Sequence, residues 1–348
     1  TLEFSLSLGE YSDRECGDEE TNPMPSFINK SINDLSYFQG RLVLLSGDAV
    51  IMSRTNKATN FWRETATSST DTDVIDLQST ATGAGDMYWA VPHNRDLVLF
   101  ASGAQFIILG RNTLTPANCS LVLTTTFDAD LSAKPVSAGR NVLFCTKYGE
   151  YIGVREFFSM ESIDANDAKP ITQNVPKYLA GPLKDIIGSS NFDTLLVLPS
   201  GSNNLYCYEY LWGDQGKLQS SWSTWVFPWE PTKGWLTEQN LYFIRNADGF
   251  YSLYKMSIDL HDDPGLTYKV HLDNRVLGTM VDGVMEIPFY DGDMVFVFGN
   301  GCSTPGLTIR PVTVTPIMYG YSVDFDLPDE SGVIIYGNPY TSRYMPSM

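Results

Sequence analysis

Residues 96–109 read DLVLFASGAQFIIL, which is an apolar run, a turn containing glycine and a second apolar run. Short runs rich in Val, Ile, Leu and Phe on both sides of such a turn predict a β-hairpin. The pattern occurs five times, so we expect a chain built from repeated hairpins. The other copies are RLVLLSGDAVIMS at 41–53, NVLFCTKYGEYIGV at 141–154, TLLVLPSGSNNLYCYEY at 194–210 and NLYFIRNADGFYSLYKM at 240–256.

The spacing of the hairpins indicates how they are arranged. Equivalent apolar positions, which are Leu42, Leu97, Val142, Leu195 and Leu241, are separated by 55, 45, 53 and 46 residues. A repeat near 50 residues is typical of propeller blades. One hairpin cannot bury both of its faces, and radial stacking of four-stranded blades provides neighbours while leaving only short edges. The sequence therefore predicts a β-propeller over residues 1–265, with about five to seven irregular blades.

The pattern changes after Lys269, where strands alternate with turns rich in glycine and proline. This change predicts a smaller antiparallel β-sandwich or barrel over residues 266–348, which we expect to continue beyond the chain. Helical periodicity is nearly absent, so the predicted fold class is all-β. The segment most similar to a helix lies between Ala165 and Ile187, with Asn174 as a possible cap, Pro176 near a first turn and Pro182 limiting it to a few turns.

Composition excludes some classes of function. The net charge is −18, so nonspecific attraction to DNA phosphates is excluded as a mode of action. No apolar run approaches the roughly 18 residues of a membrane span, and no charged and then apolar leader opens the chain. The cysteines are odd in number and lack a CxxC pair, which favours free, mostly buried thiols in a reducing compartment. They are Cys16, Cys119, Cys145, Cys207 and Cys302.

Five further segments occur in a characteristic order. They are RECGDEETNPMPSFINKSINDLSYFQGRLVLLSGDAVIMSRTNKATNFW at 14–62, LTTTFDADLSAKPVSAGRNVLF at 123–144, ITQNVPKYLAGP at 171–182, LYCYEYLWGDQGKLQSSWSTWVFP at 205–228 and IYGNPYTSRY at 335–344. Together they resemble the tail tubular protein B, or nozzle, family of short-tailed bacteriophages. Members of this family are considerably longer, and the chain lacks an initial methionine, so we expect it to be part of a longer polypeptide.

The resemblance implies a structural virion protein that is not an enzyme. It implies a subunit of a homo-oligomeric ring of six in the virion tail, assembled in the host cytoplasm. The ring would lie beneath the tail adaptor, tail tubular protein A, hold tail fibres and let genomic DNA pass through without specific binding. Because some ring-forming segments would lie outside residues 1–348, we expect this fragment alone to be monomeric.

The residues suited to chemistry do not form a recognisable site. His93, His261 and His271 are not spaced as metal ligands, and we interpret the acidic neighbours of His261 as a polar turn. Asp71, Asp73 and Asp76 lack the central glycine and the bidentate glutamate of a calcium loop, which favours a solvated loop. No GxSxG or GxxxxGK[ST] motif is present. We therefore assign no catalytic, cofactor-binding or metal-binding residue.

The alternative is a carbohydrate-binding or polysaccharide-degrading propeller acting on the host surface glycan. Glycoside hydrolysis needs two carboxylates at a fixed separation, and the sequence does not single out a pair. Aromatic rings stack on sugars, but they also fill gaps between blades, and we favour packing. The aromatic cluster concerned contains Trp212, Trp222, Trp225, Trp229 and Trp235.

If the chain belongs to a ring, we expect carboxylates to outnumber basic residues on the channel wall, which would lower friction on DNA. The candidate pairs and triplets are Asp71, Asp73 and Asp76; Asp262 and Asp263; Asp291 and Asp293; and Asp324 and Asp326.

Overall fold

The computed structural model describes residues 17–81, 85–160, 165–213, 216–237, 240–247, 249–258 and 265–341. All regular secondary structure within these ranges is β-strand apart from turns and bends, with no helix, so the predicted all-β class is confirmed. The chain divides into two compact units, Thr1–Met256 and Ser257–Met348. The predicted domain boundary at residue 265 stays a prediction.

The expectation of a short helix between Ala165 and Ile187 is wrong. This segment forms the end of one sheet, a series of turns and the start of the next sheet. The amides of Val175 and Tyr178 each donate to the carbonyl three residues earlier, so the turns do not propagate into a helix. Pro176 has no amide hydrogen and biases Val175 away from the helical region, which explains the interruption.

The first unit contains five antiparallel sheets whose strands follow chain order. Sheet 1 has β1 (Asp34–Phe38), β2 (Arg41–Ser46), β3 (Ala49–Met52) and β4 (Ile75–Gln78). Sheet 2 has β5 (Met87–His93), β6 (Asp96–Ala101), β7 (Gln105–Ile108) and β8 (Val122–Thr125). Sheet 3 has β9 (Val136–Ala138), β10 (Asn141–Tyr148), β11 (Tyr151–Met160) and β12 (Ala165–Pro170). Sheet 4 has β13 (Leu183–Ser189), β14 (Thr194–Pro199), β15 (Asn204–Gly213) and β16 (Gly216–Val226). Sheet 5 has β17 (Pro231–Thr237), β18 (Asn240–Ala247) and β19 (Phe250–Ser257).

The five hairpins expected from the sequence are the second and third strands of these five sheets. In sheet 2, for example, Leu97 of β6 pairs with Ile108 of β7. All four residues of β3 and of β7 are buried, as are all six of β14. Strands that are apolar on both faces belong in sheets that are covered on both sides. Here the neighbouring sheets provide the cover.

The sheets stack on one another in chain order. One core lies between sheets 1 and 2, a second between sheets 2 and 3, and a third between sheets 3 and 4. The first strands of successive sheets are in contact, β1 with β5, β5 with β9, β9 with β13 and β13 with β17. Consecutive propeller blades would have this relationship, but closure into a propeller stays a prediction.

The second unit has two antiparallel sheets. One has the strand order β20 (Asp273–Met280), β26 (Gly332–Asn338), β22 (Val295–Phe298) and β23 (Thr308–Ile309). The other has the order β21 (Val284–Ile287), β25 (Gly320–Asp324) and β24 (Thr313–Ile317). Phe296, Phe298 and Ile334 from the first sheet share a core with Met285 and Val323 from the second.

Candidate functional site

The acidic residues proposed for a channel wall are in different environments. Asp71 and Asp76 are exposed, but Asp73 is fully buried. The residues proposed for the wall in the second unit are all exposed where they are described; they are Asp291, Asp293, Asp324 and Asp326. Asp262 and Asp263 lie outside the described residues. The second unit therefore provides two exposed acidic pairs, whereas the first provides Asp71 and Asp76 without Asp73.

Asp73 stabilises its own loop. Its carboxylate accepts hydrogen bonds from the amides of Thr70, at 2.7 Å, and Glu64, at 2.9 Å. It also lies 3.5 Å from Nε of Arg54, whose guanidinium forms an ion pair with Glu64. Burial works to raise the pKa of Asp73, but these donors outweigh it and the pKa is lowered. The interpretation of a wholly solvated loop is wrong for Asp73, because the backbone donors of a folded turn surround it.

The carboxylate oxygens of Asp73 are already engaged by the backbone amides of Glu64 and Thr70. Groups of three or more His, Cys, Asp or Glu residues that could hold a metal are absent from the described ranges.

Arg41 is a buried cation that the sequence did not single out. Only 1% of it is exposed, and its guanidinium donates to the carbonyls of Ser53, Asp71, Asp73 and Leu114. It therefore fastens strand β2 to three separate loop segments. The sequence contains only a weak sign that Arg41 is buried, because an arginine at the start of an apolar strand is usually exposed.

The two described histidines, His93 and His271, have different surroundings. His93 Nδ1 lies 2.8 Å from Oγ of Ser137, and Nε2 lies 3.0 Å from the carbonyl oxygen of Arg140, so this residue joins sheet 2 to sheet 3. Burial lowers the pKa of His93. His271 is exposed, and His261 lies outside the described residues. The structure thus gives His93 a role in packing.

Four of the five cysteines, Cys119, Cys145, Cys207 and Cys302, are free and buried, which confirms the prediction for them. Cys16 lies outside the described residues. Burial raises the pKa of the Cys119 thiol to about 11 and that of the Cys207 thiol to about 12. Thiols with such pKa values are poor nucleophiles near neutral pH.

The tryptophan cluster is mainly packed between sheets. The Trp222 ring lies 4.8 Å from Tyr208, and its Nε1 donates to the carbonyl of Ile171. The ring centroid of Trp229 lies 4.7 Å from that of Tyr254. Trp235 is different, because it is 38% exposed and stacks on Tyr242 at an interplanar angle of 11°.

A lysine surrounded by aromatic rings joins sheets 3 and 4. Nζ of Lys217 lies 2.8 Å from Oε2 of Glu156 and 5.0–5.2 Å from the ring centroids of Tyr208, Tyr210 and Trp212. The side chains of Lys217 and Glu156 are only 17% and 12% exposed. Of the five tryptophans considered for sugar binding, Trp212 is thus in contact with the protein's own cation.

An open cleft of about 470 Å³ is lined by residues of sheets 4 and 5 and the segments beside them. Its lining residues are Lys184, Glu230, Thr232, Asn246 and Gly249. Glu230 is the only carboxylate among them; it forms an ion pair with Lys184 at 2.9 Å and accepts from the amide of Gly201. The hydrogen bond from Lys184 lowers the pKa of Glu230, which is unsuitable for a general acid. Among the described residues that line the cleft, there is no carboxylate pair of the kind that a glycosidase needs.

Two exposed apolar surfaces were not found from the sequence. The outer strand of sheet 5 exposes Phe250 (79%), Tyr251 (69%) and Leu253 (62%). In the second unit the turn between β24 and β25 exposes Met318 (86%) and Tyr319 (88%). Large apolar residues are unusual in a two-residue hairpin turn, where Gly, Asn and Asp are preferred, and this is the signal that could have identified the second surface.

The described residues contain no helix that is long and apolar enough to cross a membrane. The family described as "Bacteriophage nozzle protein" matches residues 2–288. The chain belongs to this nozzle family. The predicted resemblance is thereby confirmed. Another relative is "Tail tubular protein gp12" of Escherichia phage T7, with 31% identity over 290 residues. The match covers 80% of this chain and 36% of that protein, so the chain spans about a third of the length of this nozzle-family relative.

Solved structures give only distant similarity to this nozzle-family chain. The N-terminal domain of Nup159 has a TM-score of 0.38 and 10% identity, covering 87% of this chain and 77% of that one. The nidogen/laminin complex gives a TM-score of 0.36 at 9% identity, and the match covers 66% of this chain and 76% of that one. Hsv2 of Kluyveromyces lactis gives a TM-score of 0.34 at 7% identity, and the match covers 66% of this chain and 75% of that one. Scores this low carry no argument about the fold.

Proposed function

We propose that this chain is a structural segment of a tail nozzle subunit in a short-tailed bacteriophage, with no catalytic role. The observation that carries the proposal is the family match over residues 2–288. The T7 relative is named as a tail tubular protein, which supports a place in the virion tail.

The architecture of the first unit suits a scaffold under mechanical load. Successive sheets share buried cores, and polar contacts join neighbouring sheets within these layers. Lys217 of sheet 4 forms its ion pair with Glu156 of sheet 3, and Nζ of Lys134, in the segment between sheets 2 and 3, lies 2.6 Å from Oδ2 of Asp34 in sheet 1. Such contacts across sheets restrict sliding of one sheet over another. This property fits a rigid part of a conduit.

In the proposed assembly, six subunits form a ring in the tail beneath the adaptor, tail fibres attach outside and DNA passes through the centre. The subunits would assemble in the host cytoplasm before incorporation into the virion. Exposed apolar surfaces at Phe250, Leu253, Met318 and Tyr319 support protein contacts in this assembly, since large exposed apolar residues commonly mark interaction sites.

Electron microscopy of virions with a tagged subunit would test this proposal. A short peptide tag can be inserted at Gly149, in the exposed turn between β10 and β11, where no side chain would be displaced. We expect a label on the tail, arranged as a ring, and no label on untagged virions. A label on the capsid, or tagged protein missing from virions, would contradict the tail assignment.

The charge of the channel wall needs a separate test. We propose that exposed carboxylates of the second unit, such as Asp293, face the channel and reduce friction on DNA. In complete virions, Asp293→Lys should slow DNA ejection, and more so at low salt because screening is then weakest. Asp293→Asn is the matched control that removes charge without creating a phosphate-binding group, and it should have a smaller effect. Equal ejection rates for all three proteins at low salt would reject the position of Asp293 on the wall.

A further inference from the structure

A lysine, an asparagine and a glutamate meet at the junction of sheets 3 and 4. Nζ of Lys217 lies 2.9 Å from Oε1 and 2.8 Å from Oε2 of Glu156. Nδ2 of Asn141 donates to the same Oε1 at 2.7 Å. The amine of Lys217 and the carboxamide of Asn141 are therefore separated by a single carboxylate oxygen. An amine is a nucleophile, a carboxamide contains an electrophilic carbon, and a carboxyl group can carry a proton between them.

The geometry of sheet 3 places two of these side chains on one face. Asn141 is the first residue of β10, and Glu156 of β11 pairs with Leu143. Positions two apart in a strand share a face, so Asn141, Leu143 and Glu156 lie on the same side of the sheet. Leu143 belongs to the core between sheets 3 and 4. This face of sheet 3 is therefore directed at sheet 4.

Sheet 4 brings Lys217 to the same place. Lys217 of β16 pairs with Trp212 of β15. Its Nζ lies 3.1 Å from the hydroxyl of Tyr208 and 5.0–5.2 Å from three ring centroids, which are those of Tyr208, Tyr210 and Trp212. Tyr208 and Tyr210 are buried in the core between sheets 3 and 4. The rings thus hold the amine on the side of sheet 4 that faces Glu156.

The cluster is largely shielded from water. Asn141 is 6% exposed, and the side chains of Lys217 and Glu156 are 17% and 12% exposed. Water therefore has limited access to the carboxamide carbon, and the surrounding rings restrict the lysine to few orientations. Holding a nucleophile close to its target can supply a large part of the activation free energy of a bimolecular step. The site thus favours attack by the lysine over hydrolysis.

We propose that Lys217 and Asn141 become joined by an isopeptide bond after the chain has folded, with Glu156 as the proton carrier. The ion pair in the structure is the state that precedes the bond. The product would link β10 of sheet 3 to β16 of sheet 4 covalently. This proposal rests on residues of the first unit and does not depend on the proposed tail function.

The reaction transfers the acyl group of Asn141 from ammonia to the lysine amine. Glu156 takes one proton from the Lys217 ammonium, and the neutral Nζ attacks Cγ of Asn141, whose carbonyl electron pair moves onto Oδ1. Glu156 then gives its proton to Nδ2 and takes one from Nζ. When the Cγ–Nδ2 bond breaks, the carbonyl re-forms and ammonia leaves, taking the last proton from Glu156 as ammonium. The step needs no oxidant, reductant or further reactant.

Mass spectrometry of the folded 348-residue chain tests the proposal. Over several days in native buffer, the intact mass should fall by the mass of one ammonia molecule. Trypsin should then no longer cut after Lys217, and the peptide 141–147 should be recovered joined to the peptide 185–233. The same chain kept unfolded in guanidinium chloride should retain its full mass, because folding is what brings the reacting groups together.

Variants separate the roles of the residues, and circular dichroism checks that each variant is folded. Lys217→Arg keeps a cation beside Glu156 but lacks the amine, so it should retain its full mass. Glu156→Gln removes the proton carrier and should slow the loss of ammonia about 100-fold. The matched control is Lys184→Arg, which changes the lysine of the next junction and should lose ammonia as fast as the unmodified chain.

A folded chain that retains its full mass and is still cut after Lys217 would overturn the proposal. Loss of ammonia that persists in Lys217→Arg would also overturn it, because the ammonia would then come from an asparagine that cyclises onto its own backbone. An unchanged rate in Glu156→Gln would rule out Glu156 as the proton carrier.

Discussion

Sheets 4 and 5 contain the same hairpin motif, yet their strands are buried to very different extents. In the equivalent third strands, five of the ten residues of β15 are buried, whereas none of the eight residues of β19 is buried although its sequence, FYSLYKMS, is also rich in large apolar residues. The difference lies in the neighbours: sheet 4 has a four-stranded layer with sheets on both sides, and sheet 5 is the last of the series. Burial in this fold is therefore decided by position in the stack as much as by the hydrophobicity of a strand.

The polar contacts between sheets show a similar gradient. The Glu156 to Lys217 pair between sheets 3 and 4 has side chains that are 12% and 17% exposed. At the next junction the Lys184 to Glu230 pair has 26% and 40% exposure, and Lys233 beside Asp185 is 60% exposed. Exposed ion pairs contribute little because water and salt screen them. We therefore expect the last sheet to be held less firmly than the others.

The largest effect is expected in the core between sheets 2 and 3. Phe144 is 1% exposed, and its ring lies 5.2 Å from that of Phe100. Phe144→Ala should lower the free energy of unfolding by about 3–5 kcal/mol, because it removes buried surface and leaves a cavity. Urea denaturation of the chain measures this change.

Tyr148→Ala is the control on the same strand, since Tyr148 is 58% exposed. It should change the free energy of unfolding by less than about 0.5 kcal/mol. Comparable losses for the two variants would show that the stacked arrangement of sheets 2 and 3 is wrong.

A similarly large effect is expected at Arg41, which has no counterpart in sheet 5 among the described residues. Arg41→Met should destabilise the first unit by about 3 kcal/mol, because buried carbonyl groups lose their charged donor. Arg41→Lys keeps the charge, but one ammonium group cannot reach all four carbonyls, so its loss should be intermediate. Thermal unfolding monitored by circular dichroism ranks the three proteins. If Arg41→Met unfolded at the same temperature as the unmodified chain, the guanidinium would not be holding these loops in place.

The sequence predicted the hairpins well, because each combines apolar strands with a turn that only a few residue types accept. Gly149 and Gly201, for example, have φ values of +61° and +67° in turns where the sequence placed hairpin connections. The fold class and the family were also predictable. The wrong helix near Val175 came from a cap and a first-turn proline that also suit a series of turns.

The contacts between sheets were not predictable from the sequence. Arg41, Asp73 and His93 are polar residues in ordinary loop or strand-end contexts, and their burial depends on segments that are distant in the chain. The exposed surface at β19 was not predictable either, because large apolar residues in a hairpin strand do not show whether a neighbouring sheet covers them. Local patterns identify strands, but neighbours in space decide which strands are covered.

A smaller effect should distinguish the two junctions of sheet 4. Lys217→Met leaves Glu156 partly buried without its cation and should lower the free energy of unfolding by about 1–3 kcal/mol. Lys184→Met removes the more exposed pair at the junction with sheet 5, and less than about 1 kcal/mol should be lost. Urea titrations at low and high salt measure both. A larger loss for Lys184→Met would reverse the proposed gradient.

The smallest effect is a dependence on pH at the junction of sheets 2 and 3. Burial lowers the pKa of His93 in the folded protein, whereas the unfolded chain should have an ordinary histidine pKa near 6.5. Between the lowered folded pKa and the unfolded value, the unfolded chain therefore binds more protons, and stability rises with pH. The contribution of neutral His93 is present above about pH 6.5 and is lost as the pH falls through this window.

His93→Gln should remove this part of the pH dependence while keeping groups that can contact Ser137 and the carbonyl of Arg140. Other groups titrate in the same range, so the quantity to compare is the difference in free energy of unfolding between variant and unmodified chain at several pH values from 5 to 8. That difference should become more favourable to the variant as the pH falls. The matched variant His271→Gln replaces an exposed histidine in the same way and serves as the control for the substitution itself. A difference for His93→Gln that does not vary with pH would mean that His93 titrates alike in both states, and that it does not join sheets 2 and 3 as a buried neutral group.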